Sequence, residues 1–349
     1  TGLLEQLGIE SRRTQMSFSV RDERSGLEWA GSPSLNTVFG QRRNLLRPSF
    51  WHMLRDIARF GREATMVLQD DNDQRSVREF TAGQGYGRAF TEHYLLPMGA
   101  SLWSCPTRRF ADFPIRFVVE FMHQHDMLEL RGRPPWRTVA GGSRRYVDEI
   151  LARLRGSLRL STPVRAVRRH DGHVSISLDG ATETFDHVVI AVHADQALAL
   201  LDDDATPAER EVLAHFPYER NEAIVHRDPS VLPRCRRCWS AWNHVQPADE
   251  RAPVSMTYNM NILQGLPARH TWCVTLNDTG AINPERVVRR ITYTHPVFTP
   301  GRRAAQARHA ELIGPNRTSF CGAYWGYGFH EDGVRSAVAV ALALGAEAG

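Results

Sequence analysis

Residues 318–345 read TSFCGAYWGYGFHEDGVRSAVAVALALG. Thr318-Ser-Phe-Cys321 is short and apolar enough for a central strand. Gly322 ends it, where a missing side chain lets backbone come close to a ligand. From Glu331 onward the spacing predicts a helix, with apolar residues at 334, 338, 341, 342 and 344. The N–H groups at such a helix start suit an anionic or electron-rich ligand edge. An ordinary docking helix with a glycine-rich entry has the same pattern, and the residues alone leave both readings open.

A second strand is expected upstream. His187-Val-Val-Ile-Ala-Val192 is apolar on both faces, as a buried parallel strand should be, and a helix starts near Asp195. Residues 159–192 alternate like paired strands, with hairpin turns at Asp171-Gly172 and Asp179-Gly180. Before them, TVAGGSRRYVDEILARLRG (138–156) gives a short strand, a double glycine and an amphipathic helix. This is α/β nucleotide-fold material.

The rest differs in style. PVSMTYNM (253–260) and TWCVTLN (271–277) predict strands of a second sheet. Residues 41–64 contain an amphipathic helix, with Pro48 in its first turn and Trp51, Leu54, Ile57 and Phe60 at helical spacing. Arg55, Arg59 and Arg62 lie mostly off that stripe, so helix 48–62 serves either core packing or contact with anionic lipid. Residues 86–131 look helical again, broken by the Pro- and Gly-punctuated segment 95–106. These segments imply two interleaved domains. One is built from 136–200 and 300–349, the other, mixed α+β, from 1–135 and 201–299.

Composition narrows the chemistry. At 349 residues, 42% hydrophobic and 23% charged, the chain suits a large globular core. It has no apolar run of about 18 residues, the length a membrane-crossing helix needs. All 43 basic residues are arginine, which excludes a Schiff-base lysine, a P-loop lysine and a lysine general base. The net charge of +4 is spread along the chain, unlike that of a nucleic-acid binder. Five cysteines (105, 235, 238, 273, 321) form no regular disulfide framework and fit a reducing cytoplasm. Cys235 and Cys238 read as part of an arginine-rich loop. A zinc site with His226 and His244, or a redox pair, are the alternatives. Gly83-Gln-Gly-Tyr-Gly87 comes after no buried strand and reads as a turn, not a dinucleotide loop.

The closing segment SFCGAYWGYGFHEDGVRSAVAVA resembles the C-terminal flavin-binding segment of the flavin-containing amine oxidoreductase family. That family includes amine oxidases, protoporphyrinogen oxidase and phytoene desaturases. Residues 138–153 are similar to its double-glycine strand–helix, 162–201 to its adenine-side hairpin and strand, and 291–299 to a stretch near its substrate cavity. The strings RRNLLRP, HYLLPMGA, WRTVAGGSRRYV, HADQALALL and GYGFHEDG are similar to a bacterial subgroup of NAD/FAD-binding proteins. The resemblance covers essentially the whole chain. It implies FAD as cofactor, a Rossmann-like α/β FAD-binding domain at 136–200 and 300–349, and a substrate domain elsewhere. The family opens with a Rossmann βαβ unit bearing GxGxxG. TGLLEQLGIE resembles the family's segment just after that unit, so this chain is expected to lack the N-terminal βαβ unit, roughly the family's first 60 to 70 residues.

Residue by residue, the resemblance implies a cofactor site at Val164, Ala191, Gly322, Ala323, Gly328, Phe329, His330 and Glu331. Val164 faces the adenine, Ala191 the ribose and pyrophosphate, and Gly322 the pyrophosphate and ribityl chain. Ala323 stands where the family usually has an acid. The backbone at His330 faces the flavin pyrimidine edge, which gains charge on reduction. Phe329 and Phe298 fall where amine oxidases place an aromatic cage. His330, His295 and His193 are the available bases.

The resemblance favours hydride removal from a fatty-acyl or phospholipid substrate. Amine oxidation is the second reading, and a non-catalytic flavoprotein-like module the third. The expected location is the cytoplasm, with peripheral contact at the inner membrane through helix 48–62.

Overall fold

The computed structural model describes residues 2–32, 34–70, 73–103, 105–129, 132, 135–248, 255–278, 280–299 and 301–346. The chain divides into two compact units, Thr1–Leu154 with Asn221–Tyr293 and Arg155–Arg220 with Thr294–Gly349.

The first unit carries a seven-stranded sheet in the order Val287–Pro296, Tyr218–His226, Cys273–Leu276, Ser255–Asn259, Trp242–Gln246, Phe18–Asp22, Glu28–Gly31. Trp242–Gln246 runs parallel to Phe18–Asp22 and antiparallel to Ser255–Asn259. A buried polar chain crosses the sheet. The Ser19 hydroxyl donates to Asn243 Oδ1 at 2.8 Å, and the Asn243 amide donates to the Thr257 carbonyl at 3.1 Å. The Thr257 and Thr275 hydroxyls meet at 2.8 Å, and Thr275 meets His226 Nε2 at 2.7 Å. Full pairing of these groups avoids the cost of burying them and fixes the register of the strands.

The helices of this unit close around aromatic side chains. Pro48 does begin the helix Pro48–Glu63, but the buried stripe is Phe50, Met53, Asp56 and Phe60. Trp51 is about half exposed, because the core lies one position away from the expected stripe. The segment 95–106 does not break the helical run where expected. A π-helical turn, Thr91–Leu95, passes into the helix Leu96–Leu102. Pro97 occupies that helix's first turn, and a Cβ at Gly99 would overlap the Phe110 ring. Both residues therefore serve packing rather than a loop. Around Gly83-Gln-Gly-Tyr-Gly87, the helix Val77–Gly83 precedes the turn, capped by Ser76 and Glu79.

Strand Arg137–Val139 and helix Arg144–Arg153 lie as expected around the double glycine. Their strand pairs antiparallel with Ser11–Arg13, so residues 137–154 lie in the first unit, not with the nucleotide-fold segments. Conversely, residues 201–220 lie in the second unit. The reason is physical: Val212, Leu213 and Phe216 enter its core, and the Arg169 guanidinium grips Glu209 with bonds of 2.8 and 3.0 Å.

The second unit holds the antiparallel strands Ala166–His170, His173–Leu178 and Ala181–Phe185, turning at Gly172 and Gly180 with φ of 88° and 83°. It also holds the parallel pair Val188–Ile190 and Thr318–Phe320. Val188 and Ile190 are buried, whereas Val189 is 43% exposed, so the strand is apolar on two faces but covered on one. Helices Ala194–Leu201 and His330–Ala343 pack here. The face of the second helix toward the strand exit is Ser336 and Val340. The apolar residues at 338, 342 and 344 lie outward.

Candidate functional site

The parallel pair aligns Thr318 with Val188, Ser319 with Val189 and Phe320 with Ile190. Cys321 N–H continues the ladder to the Ile190 carbonyl at 3.1 Å, which sets Ala191 level with Cys321 and Val192 level with Gly322 at the carboxyl ends of both strands. In open α/β sheets, ligands bind beyond those ends. Gly322 has φ of 155°, and a Cβ there would lie 2.6 Å from the Tyr324 ring, so the exit requires glycine. Its N–H donates to the Ser336 hydroxyl at 2.9 Å, tying the strand exit to the following helix.

The turn from Ala323 to Phe329 is held from two sides. Arg302 Nη2 donates to the carbonyls of Tyr324 and Gly326 at 3.1 and 3.2 Å. Gln306 Nε2 donates to the same two carbonyls at 2.9 and 2.7 Å. From the other side, Asp332 Oδ2 accepts the N–H groups of Tyr327 and Phe329, each at 3.0 Å. A Cβ at Gly326 would overlap the Asp332 carboxylate. Gly328 has φ of 97° and open space around its Cα. Phe329 is 42% exposed, and His330 and Glu331 begin the 14-residue helix with their side chains exposed. The clamp leaves this backbone little freedom before any ligand arrives, which is the condition for preorganised binding.

A second cluster sits two residues beyond Ala191. The rings of His193 and Tyr218 stack at 4.3 Å and 12°, and Thr294 Oγ1 meets His193 Nδ1 at 3.1 Å. His295 is the next residue after Thr294. Burial, and then the neighbouring His193, hold its pKa below the usual histidine value, and its buried Nδ1 has no hydrogen-bond partner among the described residues. His295 is thus neutral at pH 7, with a nitrogen left to take or give a proton.

Phe298 is engaged in a different way from the cage wall suggested by sequence. The Arg302 guanidinium stacks on its ring at 4.1 Å, and also lies 5.2 Å from the Phe216 centroid. Burial lowers the Arg302 pKa to about 10, while Tyr218 and Asp332 act against that shift. The group therefore stays charged at neutral pH. Val164 lies at the entry to the hairpin sheet, 37% exposed, and Ala323 opens the short turn Ala323–Trp325 with only its backbone to offer.

The alternatives at the CRRC pair do not fit. His226 is bonded to Thr275, and His244 to Ser101 at 3.0 Å. Burial, followed by Cys235, pushes the Cys238 thiol up to about 12, away from the thiolate that metal or redox chemistry needs.

The family described as flavin-containing amine oxidoreductase matches residues 1–226. The chain belongs to this family. Among solved structures, a putrescine oxidase bound to putrescine aligns at 14% identity and a TM-score of 0.62, over 98% of this chain and 84% of its own. Cyclohexylamine oxidase from Brevibacterium oxydans IH-35A aligns at 14% and 0.61, over 98% and 84%. A CLA-producing fatty acid isomerase from P. acnes aligns at 12% and 0.61, over 99% and 84%. At these identities the likeness is one of fold. Comparison with curated proteins gives no match.

This flavin-containing amine oxidoreductase is an FAD-dependent oxidoreductase with the α/β FAD-binding fold of its family. The residues present fit the cofactor. The adjacent strand ends at Ala191-Val192 and Cys321-Gly322, an uncluttered Gly328 and the start of a long helix give an exposed backbone surface. Val192 and Phe329, 38% and 42% exposed, supply apolar side chains beside it, as a ring with one apolar and one polar edge requires. Sequence reasoning missed Arg302, Gln306, Asp332 and Tyr218. Only the i, i+4 spacing of Arg302 and Gln306 in one short helix hinted that they act together.

Proposed function

We propose that this FAD-dependent oxidoreductase removes a hydride from an uncharged or anionic organic substrate, a fatty-acyl chain foremost, rather than from an amine. The observation that carries this reading is the Arg302 guanidinium seated 4.1 Å over Phe298. A substrate ammonium needs aromatic faces free of other cations. Here one face is occupied by a permanent, buried positive charge that repels a second one. The fatty acid isomerase among the fold neighbours is in keeping with an acyl substrate. Within the unit 155–220 and 294–349, Ala191, Gly322, Ala323 and Gly328–Glu331 hold the cofactor, with Val164 toward its adenine end. FAD, when bound there, would supply the hydride-accepting chemistry. His295 takes up the accompanying proton at Nδ1, and Phe329 borders the apolar part of the site. The unit 1–154 and 221–293 serves the substrate.

The test is anaerobic mixing of the FAD-loaded protein with candidate reductants, reading loss of the visible flavin band. Unsaturated or cyclopropane phospholipid is expected to bleach it, and alkylamines are not; bleaching by amines alone would overturn the reading. Arg302→Met is expected to change unfolding free energy by less than about 1 kcal/mol. It removes a buried charge whose Nε and Nη1 have no hydrogen-bond partner among the described residues, while Gln306 still serves both carbonyls. The same variant frees the Phe298 face, so bleaching by alkylamines is expected to quicken relative to phospholipid. An unchanged ratio would show that Phe298 does not meet the substrate.

A further inference from the structure

We propose that residues 35–51 of the first unit form a docking surface for an anionic lipid bilayer. Of the helix Pro48–Glu63 it takes only the outward Trp51, while the buried stripe of Phe50, Met53, Asp56 and Phe60 is core.

Leu46 is 87% exposed and Leu35 74%, with Leu45 and Trp51 each about half exposed. They form one patch. Trp51 Nε1 donates to the Leu45 carbonyl at 3.0 Å, and the Trp51 ring lies 5.0 Å from that of Phe39, in the turn just after the helix that Leu35 begins. A soluble surface rarely leaves such large apolar side chains together without a partner. Trp51 gives the patch the residue favoured at headgroup depth.

Charge selects the partner. From Trp29 to Arg55 the chain has four arginines and no carboxylate. Arg42 donates to the Phe39 carbonyl and to Asn36, Arg43 to the Gly26 carbonyl, and Arg47 to the Ser25 carbonyl. Among the described residues none of these is in an ion pair, and each guanidinium has five N–H donors, so several remain for phosphate. A pocket of about 280 Å³ lies beside the patch, lined by Leu46, Arg47, Leu27, Phe50 and Met53 together with the polar Ser25, Ser49 and His93, a largely apolar recess next to the cationic edge. Apolar anchors ringed by unpaired arginines match an anionic bilayer, which offers phosphates above and hydrocarbon below. A protein partner would need carboxylates set against each arginine.

The experiment is flotation of the FAD-loaded full chain with extruded vesicles. Vesicles of phosphatidylcholine with phosphatidylglycerol are expected to carry the protein, and pure phosphatidylcholine is not. High salt should release it. Arg42→Gln with Arg43→Gln is expected to lower the partition coefficient roughly thirtyfold, at about 1 kcal/mol per arginine. Leu46→Asp, at a solvent-facing site, should lower it at least tenfold with the thermal midpoint unchanged. Equal binding to both vesicle types would overturn the proposal, as would indifference to Leu46→Asp. So would Leu46-dependent self-association in sedimentation without vesicle binding.

Discussion

Folding stability is expected to fall by about 3 kcal/mol between roughly pH 6.5 and pH 4, chiefly through His244. His244 lies in the strand Trp242–Gln246 with no exposed surface, and burial pushes its pKa from 6.5 to about 3. The Ser101 hydroxyl donates to the Pro97 carbonyl at 2.6 Å, so toward His244 Nδ1, at 3.0 Å, it acts as acceptor. The imidazole is therefore the neutral tautomer protonated at Nδ1, and its Nε2 has no partner among the described residues. The order of the two pKa values sets the sign. The unfolded chain takes up this proton first, so the contribution is complete above pH 6.5 and is lost as the pH falls toward the folded value. His226 shifts in the same direction for the same reason, burial. Asp22, Asp73 and Asp228 have lowered pKa values, so their losses begin only below about pH 4. The window above belongs to histidine. Urea midpoints measured across it should drop steadily in the natural chain and much less in His244→Asn. A flat midpoint in the natural chain, or an equal slope in the variant, would remove His244 from the account.

How far the chain could be deciphered from sequence depended on how local the cause was. The hairpins at Asp171-Gly172 and Asp179-Gly180 were legible because two glycines must adopt positive φ. That Val188–Ile190 and Thr318–Phe320 are strands was legible because both segments are short, apolar and succeeded by helices; their parallel pairing was not, since no local pattern reports it. The helix Leu96–Leu102 was not, because Pro97 and Gly99 resemble punctuation until the Phe110 ring is seen against Gly99. The edges of the two units depend on partners far away in sequence. Strand Arg137–Val139 is placed by Ser11–Arg13, and helix Pro207–Leu213 by the grip of Arg169 on Glu209. No periodicity reports such pairs. At the candidate site, the glycine-rich entry to the last helix was readable from the Gly-rich run before Glu331. The clamp was hidden, since an arginine and an aspartate are surface residues by default.

That clamp yields the second large expectation. Asp332→Ala should weaken FAD binding at least tenfold and lower the thermal midpoint. The carboxylate accepts two backbone N–H groups at 3.0 Å, those of Tyr327 and Phe329, and charge-assisted bonds of this kind contribute about 1.5–3 kcal/mol each. It is also a negative charge acting on the buried Arg302. Alanine removes the carboxylate acceptor of both N–H groups and leaves the Arg302 charge less compensated. The carbonyl side of the turn remains held by Gln306, so the loss is concentrated at Gly328, Phe329 and His330 rather than spread through the unit. Asp332→Asn keeps an acceptor oxygen and should fall between the natural chain and alanine in FAD affinity, measured by titrating the stripped protein. Its thermal midpoint without FAD should stay near that of the natural chain, which separates damage to the turn from damage to the fold. If Asp332→Ala retains full FAD affinity while losing stability, the turn braces the unit but does not face the flavin, and the cofactor must be sought on other strand ends.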